Sequence, residues 1–392
     1  MSPSLLRALP DLIVLTVAVA GQSLGVWWAW RHVTRFPDEK RRPARLAIGA
    51  AAGISFAILV SGFLLRFERV AGHIPGSWPA WARGLTIAWI LVSLSWLLGF
   101  AVVRWFSRRN GQVHSAGRRH FLKTAHGAAL AAPPGVLGYA VFIQRNQLVL
   151  REQRIEIPGL PPDLDGLRLV QLTDIHLSPF LSHAEVERAV AMASETRAHV
   201  ALVTGDLITT RRDPLDDCLN MLKDLRADAG VFGCMGNHEE YTGAEDYTER
   251  EGARRGLRFL RHQAAPLRFG NATLNLAGVD YQRSRKPYLV GAEELILPGA
   301  FNVLLSHNPD VFPVAARQGY PLTISGHTHG GQVRVEILSA DLNVARFFTP
   351  YVDGIYRQGA ASIFVSRGIG TIGIPARFGA PPEVALLHLC RA

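Results

Sequence analysis

Five short polar clusters recur in the second part of this chain: Asp174-Ile175-His176, Gly205-Asp206, Gly236-Asn237-His238-Glu239, Ser306-His307 and Gly326-His327-Thr328-His329. Two aspartates, one asparagine and three or four histidines make a mixed oxygen and nitrogen shell. Such a shell suits borderline divalent metals such as Mn, Fe or Zn, and suits neither Ca nor soft Cu(I). The Asp-x-His spacing reads as two alternate residues of an extended segment, whose side chains point the same way and reach one ion. Asp206 has two carboxylate oxygens and can bridge two ions. Gly205, Gly236 and Gly326 leave room for tight backbone turns beside the metals.

Something must carry these clusters to one place. Each follows a short apolar run that reads as a strand: Leu167 to Leu172, Val200 to Thr204, Gly230 to Met235, Asn302 to Leu305 and Leu322 to Ile324. Helical stretches are expected from Ala184 to Thr196 and near Leu215 to Leu225, and an earlier strand from Leu148 to Ile157. Strands alternating with helices argue for an α/β domain. In open α/β sheets the loops at the carboxyl ends of strands converge on one site. Five polar clusters at five strand ends are therefore expected to share a pocket.

In this order the motifs resemble the calcineurin-like metallophosphoesterase superfamily, over roughly Leu167 to Leu389. The resemblance implies a four-layer α/β/β/α sandwich and hydrolysis of phosphate mono- or diesters by a metal-bound hydroxide. By position, it implies one metal on Asp174, His176, Asp206 and His329, and a second on Asp206, Asn237, His307 and His327. His238 looks like the family's non-ligand histidine, which stabilises or protonates the leaving oxygen. Purple acid phosphatases carry a Tyr ligand where this chain has Thr209, and protein Ser/Thr phosphatases follow Gly-Asp with Asp-Arg-Gly where this chain has Leu207-Ile208-Thr209. Both branches lose weight. Gly354-Ile355-Tyr356 and Ser366-Arg367-Gly368-Ile369-Gly370-Thr371, with Pro375, Arg377 and Phe378, resemble the bacterial membrane-associated branch instead. Arg367 and Arg377 are candidate contacts to substrate phosphate, since a guanidinium suits bidentate oxygen recognition; bracing of turns is the alternative.

The formal charge of +10 is unevenly spread. Residues 1–150 hold 17 Lys and Arg against 4 Asp and Glu, whereas residues 151–392 hold 25 against 28. The basicity belongs to the first part, and nucleic acid is not an expected partner of the second. The first part also holds apolar runs of spanning length, from Asp11 to Trp30, Leu46 to Leu65 and Leu85 to Val103, with a weaker one from Phe121 to Ile143 interrupted by Pro133 and Pro134. About four transmembrane helices are expected within residues 1–145, then a linker over 146–165 and the metallophosphoesterase domain over 166–392. Cations cluster between the first and second runs (Arg31 to Arg45) and before the fourth (Arg104 to Lys123), which places those connections inside and the domain outside. The segment Ser115 to Lys123, with Arg118-Arg119, resembles an internal twin-arginine export signal, so the export machinery is a candidate partner beside the lipid bilayer and a phosphoester substrate. Cys218, Cys234 and Cys390 form neither a zinc motif nor a disulfide framework.

The expectation is thus a multi-pass enzyme of the inner membrane, with its dinuclear site facing the periplasm or exterior and working on envelope or lipid-linked esters. The rival is a membrane sensor or scaffold with a catalytically weak phosphoesterase domain. A transport role is disfavoured, because the first three runs carry no ionisable residue at mid-depth.

Overall fold

Long uncharged runs satisfy their backbone polar groups most simply as helices, and the apolar runs of the first part are helical where they are described. The structure is a computed structural model that describes residues 3–34, 36–65, 74, 76–109, 116–283, 287–337 and 340–392. Side chains at 3–13, 103, 106–109, 116, 118–120, 122–123, 126, 335–337, 340–342 and 344 lie outside that description. The chain divides into two units, 1–142 with 373–376 and 143–372 with 377–392.

The first unit contains helices α1 (Pro3–Val33), α2 (Asp38–Leu64), α3 (Trp78–Arg109) and α4 (Ala116–Phe142). Among the described residues three stretches are long and apolar enough to cross a membrane: Asp38–Leu64, Trp78–Val102 and Gly127–Asn146. The first expected run, Asp11 to Trp30, falls inside α1, and its leading side chains are outside the description. The fourth run was expected to be interrupted at Pro133 and Pro134, but α4 continues through both. Each proline removes one intrahelical hydrogen bond, which an apolar helix tolerates where neighbouring helices or local adjustments re-satisfy the freed groups. The helices are joined by buried polar contacts. Gln22 donates from Nε2 to Ser55 Oγ at 2.8 Å and accepts from Trp89 Nε1 at 2.9 Å, tying α1, α2 and α3. Thr86 Oγ1 donates to the Ile58 carbonyl at 2.7 Å. Interhelical bonds of this kind hold helices together where apolar burial gives no preference. Ser115 and the side chains of Arg118 and Arg119, on which the export-signal resemblance rests, lie outside the described residues.

The second unit is built on two six-stranded sheets. The strands are β1 (Val149–Ile157), β2 (Arg168–Leu172), β3 (Val200–Thr204), β4 (Val231–Cys234), β5 (Leu257–Phe259), β6 (Gln263–Phe269), β7 (Ala272–Gly278), β8 (Phe301–Leu305), β9 (Leu322–Ser325), β10 (Arg334–Ile337), β11 (Ala340–Asn343), β12 (Gly354–Gln358), β13 (Ala361–Val365) and β14 (Glu383–Arg391). The helices are α5 (His183–Glu195), α6 (Leu215–Leu222), α7 (Asn237–Thr242), α8 (Glu245–Arg254) and α9 (Phe312–Gln318). The first sheet has the order β1-β14-β2-β3-β4-β5 and the second β12-β13-β9-β8-β7-β6, with β10-β11 a separate hairpin.

Strand pleating explains the layers. In β3, Val200 and Leu202 face a core shared with Val303, Leu322 and Phe364 of the other sheet, while Ala201 and Val203 face Val190, Leu219 and Leu222 on α5 and α6. In β8, Val303 and Leu305 point into the shared core, and Leu304 packs with Ala315 of α9. Apolar residues on both strand faces thus produce the expected four-layer α/β/β/α sandwich. The stretch 146–165, read in part as a linker, contains β1, which pairs along its whole length with β14. Alternation along β1 buries Ile155 and Ile157 in the shared core, so this segment is part of the sheet.

Candidate metal centre

The strands β2, β3, β4, β8 and β9 end at Leu172, Thr204, Cys234, Leu305 and Ser325, and each of the five polar clusters begins within two residues of one of those ends. β2, β3 and β4 are mutually parallel, as are β8 and β9, so within each sheet the clusters emerge at one end. Asp174, His176 and His329 bring donor atoms within 4.8 Å of one another, and so do Asp206, His307 and His327. His176, Asp206 and His238 form a third such group between them. The contacts are close: His329 Nε2 is 3.3 Å from Asp174 Oδ1, His176 Nε2 3.3 Å from Asp206 Oδ2, and His307 Nε2 3.1 Å from the same Asp206 oxygen.

The backbone at these positions departs from the extended geometry expected for Asp-x-His. Asp174 and His176 have φ of 50° and 47°, and Asp206, His327 and His329 have φ of 56°, 78° and 52°. The two side chains of Asp-x-His therefore converge through left-handed turns and not through strand alternation. Non-glycine residues adopt this region at a cost, and they persist there when the surroundings over-determine them. The surroundings here do so. The His327 N–H donates to both Asp174 carboxylate oxygens at 3.0 Å, and the His238 N–H donates to Asp206 Oδ1 at 2.9 Å. At Gly236 a Cβ would stand 2.1 Å from Asp206 Oδ1, so only glycine lets that chain pass.

Several residues that support the cluster carried no role in the sequence reading. Glu239 is buried and accepts from the N–H groups of Asp206, Leu207 and Gly236, each at 2.8 Å. It fixes two ligand loops with one carboxylate, and its place directly after His238 was its only signal. Thr209 is within hydrogen-bonding distance of two histidines, with Oγ1 3.1 Å from His176 Nδ1 and its carbonyl accepting from His238 Nδ1 at 2.7 Å. His307 Nδ1 donates to the Thr204 carbonyl at 2.7 Å. Bonding of one ring nitrogen to an oxygen fixes the ring orientation, as the outer partners of histidine ligands do.

Arg377 does not reach outward for phosphate as expected. Its side chain is fully buried, and its guanidinium donates to the carbonyls of Gly368, Gly370, His329 and Ala380. It braces the loop behind His329. Arg367 donates to Asp353 Oδ2 at 3.1 Å, beside Arg151 and Glu383 in a network of ion pairs.

The donor set fits divalent cations by an internal test. Asn237 Oδ1 and His307 Nε2 are buried with no hydrogen-bond partner among the described residues, and buried polar atoms are rarely left so. Burial pushes His327 down to about 3 and His329 well below its ordinary value, so both are neutral and able to ligate. Burial also disfavours charge on His307, but Asp206 and Asp174 outweigh it and lift the imidazole to about 10. His307 thus carries the positive charge that two buried carboxylates demand, a charge that a bound cation would take over.

Residues 167–331 match the family model described as calcineurin-like phosphoesterase. The chain carries a calcineurin-like phosphoesterase domain. By that family it is a metal-dependent phosphoesterase. It is 26% identical over 278 residues to an uncharacterized metallophosphoesterase of Bacillus subtilis, YkuE, covering 69% of this chain and 97% of the relative. It is 28% identical over 285 residues to the phosphodiesterase YaeI of Escherichia coli, covering 69% and 98%. A transmembrane protein with a metallophosphoesterase domain from Danio rerio is 29% identical over 301 residues, covering 73% of this chain and 67% of the relative. The phosphoesterase match ends at Gly331, so the Arg367 and Arg377 loops lie beyond it.

Proposed function

We propose that this protein is a membrane-anchored phosphodiesterase with two metal sites, acting on envelope or lipid-linked esters. One site would be held by Asp174, His176, Asp206 and His329, and the other by Asp206, Asn237, His307 and His327, with Asp206 shared. Mn, Fe or Zn suits this donor set. Bound there, the cations would polarise a phosphoryl oxygen and lower the pKa of water. The chain's own residues orient the reaction. Glu239 fixes the loops of Asp206 and Asn237, and Thr209 fixes the His238 ring with Nε2 available to hold a proton beside the leaving oxygen. The observation that carries this reading is the pair of unpartnered buried polar atoms, Asn237 Oδ1 and His307 Nε2, both on residues assigned to the second site.

Anchoring is supported by the three helices of spanning length. The bias of Lys and Arg toward the first and third connections favours a domain outside the inner membrane, with Arg118-Arg119 as an export signal. A reporter fused after Ala392 that is active only outside the cytoplasm should be active, and a silent fusion would reject that orientation. For the chemistry, Asp206→Ala and His327→Ala should each abolish hydrolysis of bis(p-nitrophenyl) phosphate by the full chain with Mn present. Normal rates in either variant would reject the site.

A further inference from the structure

Phe347 and Phe348 are 87% and 82% exposed, the most exposed large apolar side chains among the described residues. Single exposed apolar residues are ordinary, but two adjacent phenyl rings in water point to an occupant. They form the tip of a segment pinned at both ends to the ligand loops. Asn343 Nδ2 donates to the Gly330 carbonyl at 3.0 Å, next to His329. Thr349 Oγ1 donates to Asp310 Oδ1 at 2.5 Å in the loop behind His307, and Thr328 Oγ1 donates to the Val352 carbonyl at 2.5 Å. The rings therefore project from the end of the second sheet where β8 and β9 deliver their ligands. Exposed Arg346 precedes them, and a cation beside aromatic rings is the composition that settles at lipid headgroups.

Where the chain enters this unit identifies the occupant. β1 runs parallel to β14, and β14 antiparallel to β2, so Val149 lies at the end of the first sheet from which the Asp174–His176 loop emerges. Arg145 donates to the carbonyl of Phe180, shortly after His176, and Arg188 donates to the Asn146 carbonyl at 3.1 Å. Asn146 is also the last residue of an apolar helical stretch long enough to cross a membrane. Three residues of chain reach at most about 11 Å. Residues 143–146, at the start of the second unit, thus lie near the end of the sheet that carries the metal ligands.

We infer that Phe347 and Phe348 dock into the interfacial layer of a lipid bilayer, which makes the substrate a phosphoester presented by a membrane lipid. This rests on the phosphodiesterase reading of the metal centre. The full chain would be reconstituted in nanodiscs of phosphatidylethanolamine and phosphatidylglycerol, with Phe348→Cys carrying an environment-sensitive fluorophore. The native cysteines are all buried, so the label selects the new thiol. Lipids spin-labelled near the headgroup should quench the label at 348, as expected of a side chain seated at the headgroup boundary. They should leave a label at Leu297→Cys, exposed before the start of β8 at the opposite end, unquenched. An unquenched 348 label, or equal quenching at both sites, overturns the docking. The second arm compares a disc-embedded phosphatidyl p-nitrophenyl ester with soluble bis(p-nitrophenyl) phosphate. The double variant Phe347→Ser, Phe348→Ser should lose about tenfold or more on the embedded ester, equivalent to roughly 1.4 kcal/mol, and keep its rate on the soluble one. Equal rates on the embedded ester overturn the substrate class. If the unaltered protein hydrolyses neither ester, the phosphodiesterase reading falls with that class, while the docking is decided by quenching alone.

Discussion

His307 Nε2 lies 3.1 Å from Asp206 Oδ2 without making a hydrogen bond, while its other nitrogen is held by the Thr204 carbonyl. Asn237 Oδ1 is likewise buried without a hydrogen-bond partner among the described residues, and buried polar atoms are rarely left so.

Metal content follows from this arrangement. Purified full chain should hold two divalent ions per molecule, and Asn237→Ala should lose occupancy at one of them with turnover down by at least the roughly 10- to 100-fold that follows loss of a residue merely supporting a ligand. Elemental analysis of both proteins checks this. Two ions retained in Asn237→Ala would remove that residue from the ligand set.

Thr209 should act through the imidazoles. Thr209→Val removes the hydroxyl beside His176 Nδ1 and leaves the carbonyl bond to His238. Metal affinity should fall by about 10- to 100-fold, while Thr209→Ser should behave nearly as the unaltered protein. Titration of the metal-free chain with Mn measures both, and equal affinities for Val and Ser would refute the assignment.

Glu239 should be felt mainly in stability. One carboxylate serves three backbone donors, and Glu239→Gln offers a single acceptor oxygen for them. Each buried donor left unpaired costs about 1–3 kcal/mol, so thermal unfolding of the metal-free chain should move down by several degrees. An unchanged midpoint would contradict the network.

Arg377 should be a brace and not a substrate contact. A lysine cannot reproduce a fork that donates to four carbonyls, so Arg377→Lys should destabilise the domain by about 3 kcal/mol. Where the variant is folded, KM for a soluble diester should be unchanged and kcat reduced. A raised KM with normal kcat would instead support a phosphate contact.

The sequence by itself determined which residues could bind metal, because a metal site needs particular atoms and the motifs Asp-x-His, Gly-Asp, Asn-His and His-x-His name them. The resemblance those motifs carry implied the layers of the sandwich, and the apolar runs located the long helices. Tertiary structure alone decided how Asp174 and His176 converge, because left-handed turns are held by contacts from residues distant in sequence, such as His327 on Asp174. It also decided that Arg377 turns inward and that β1 joins the sheet beside β14, over two hundred residues away in sequence, through pairing that no local pattern encodes. The exposure of Phe347 and Phe348 belongs to the same class: an apolar pair reads as core until the fold leaves it outside.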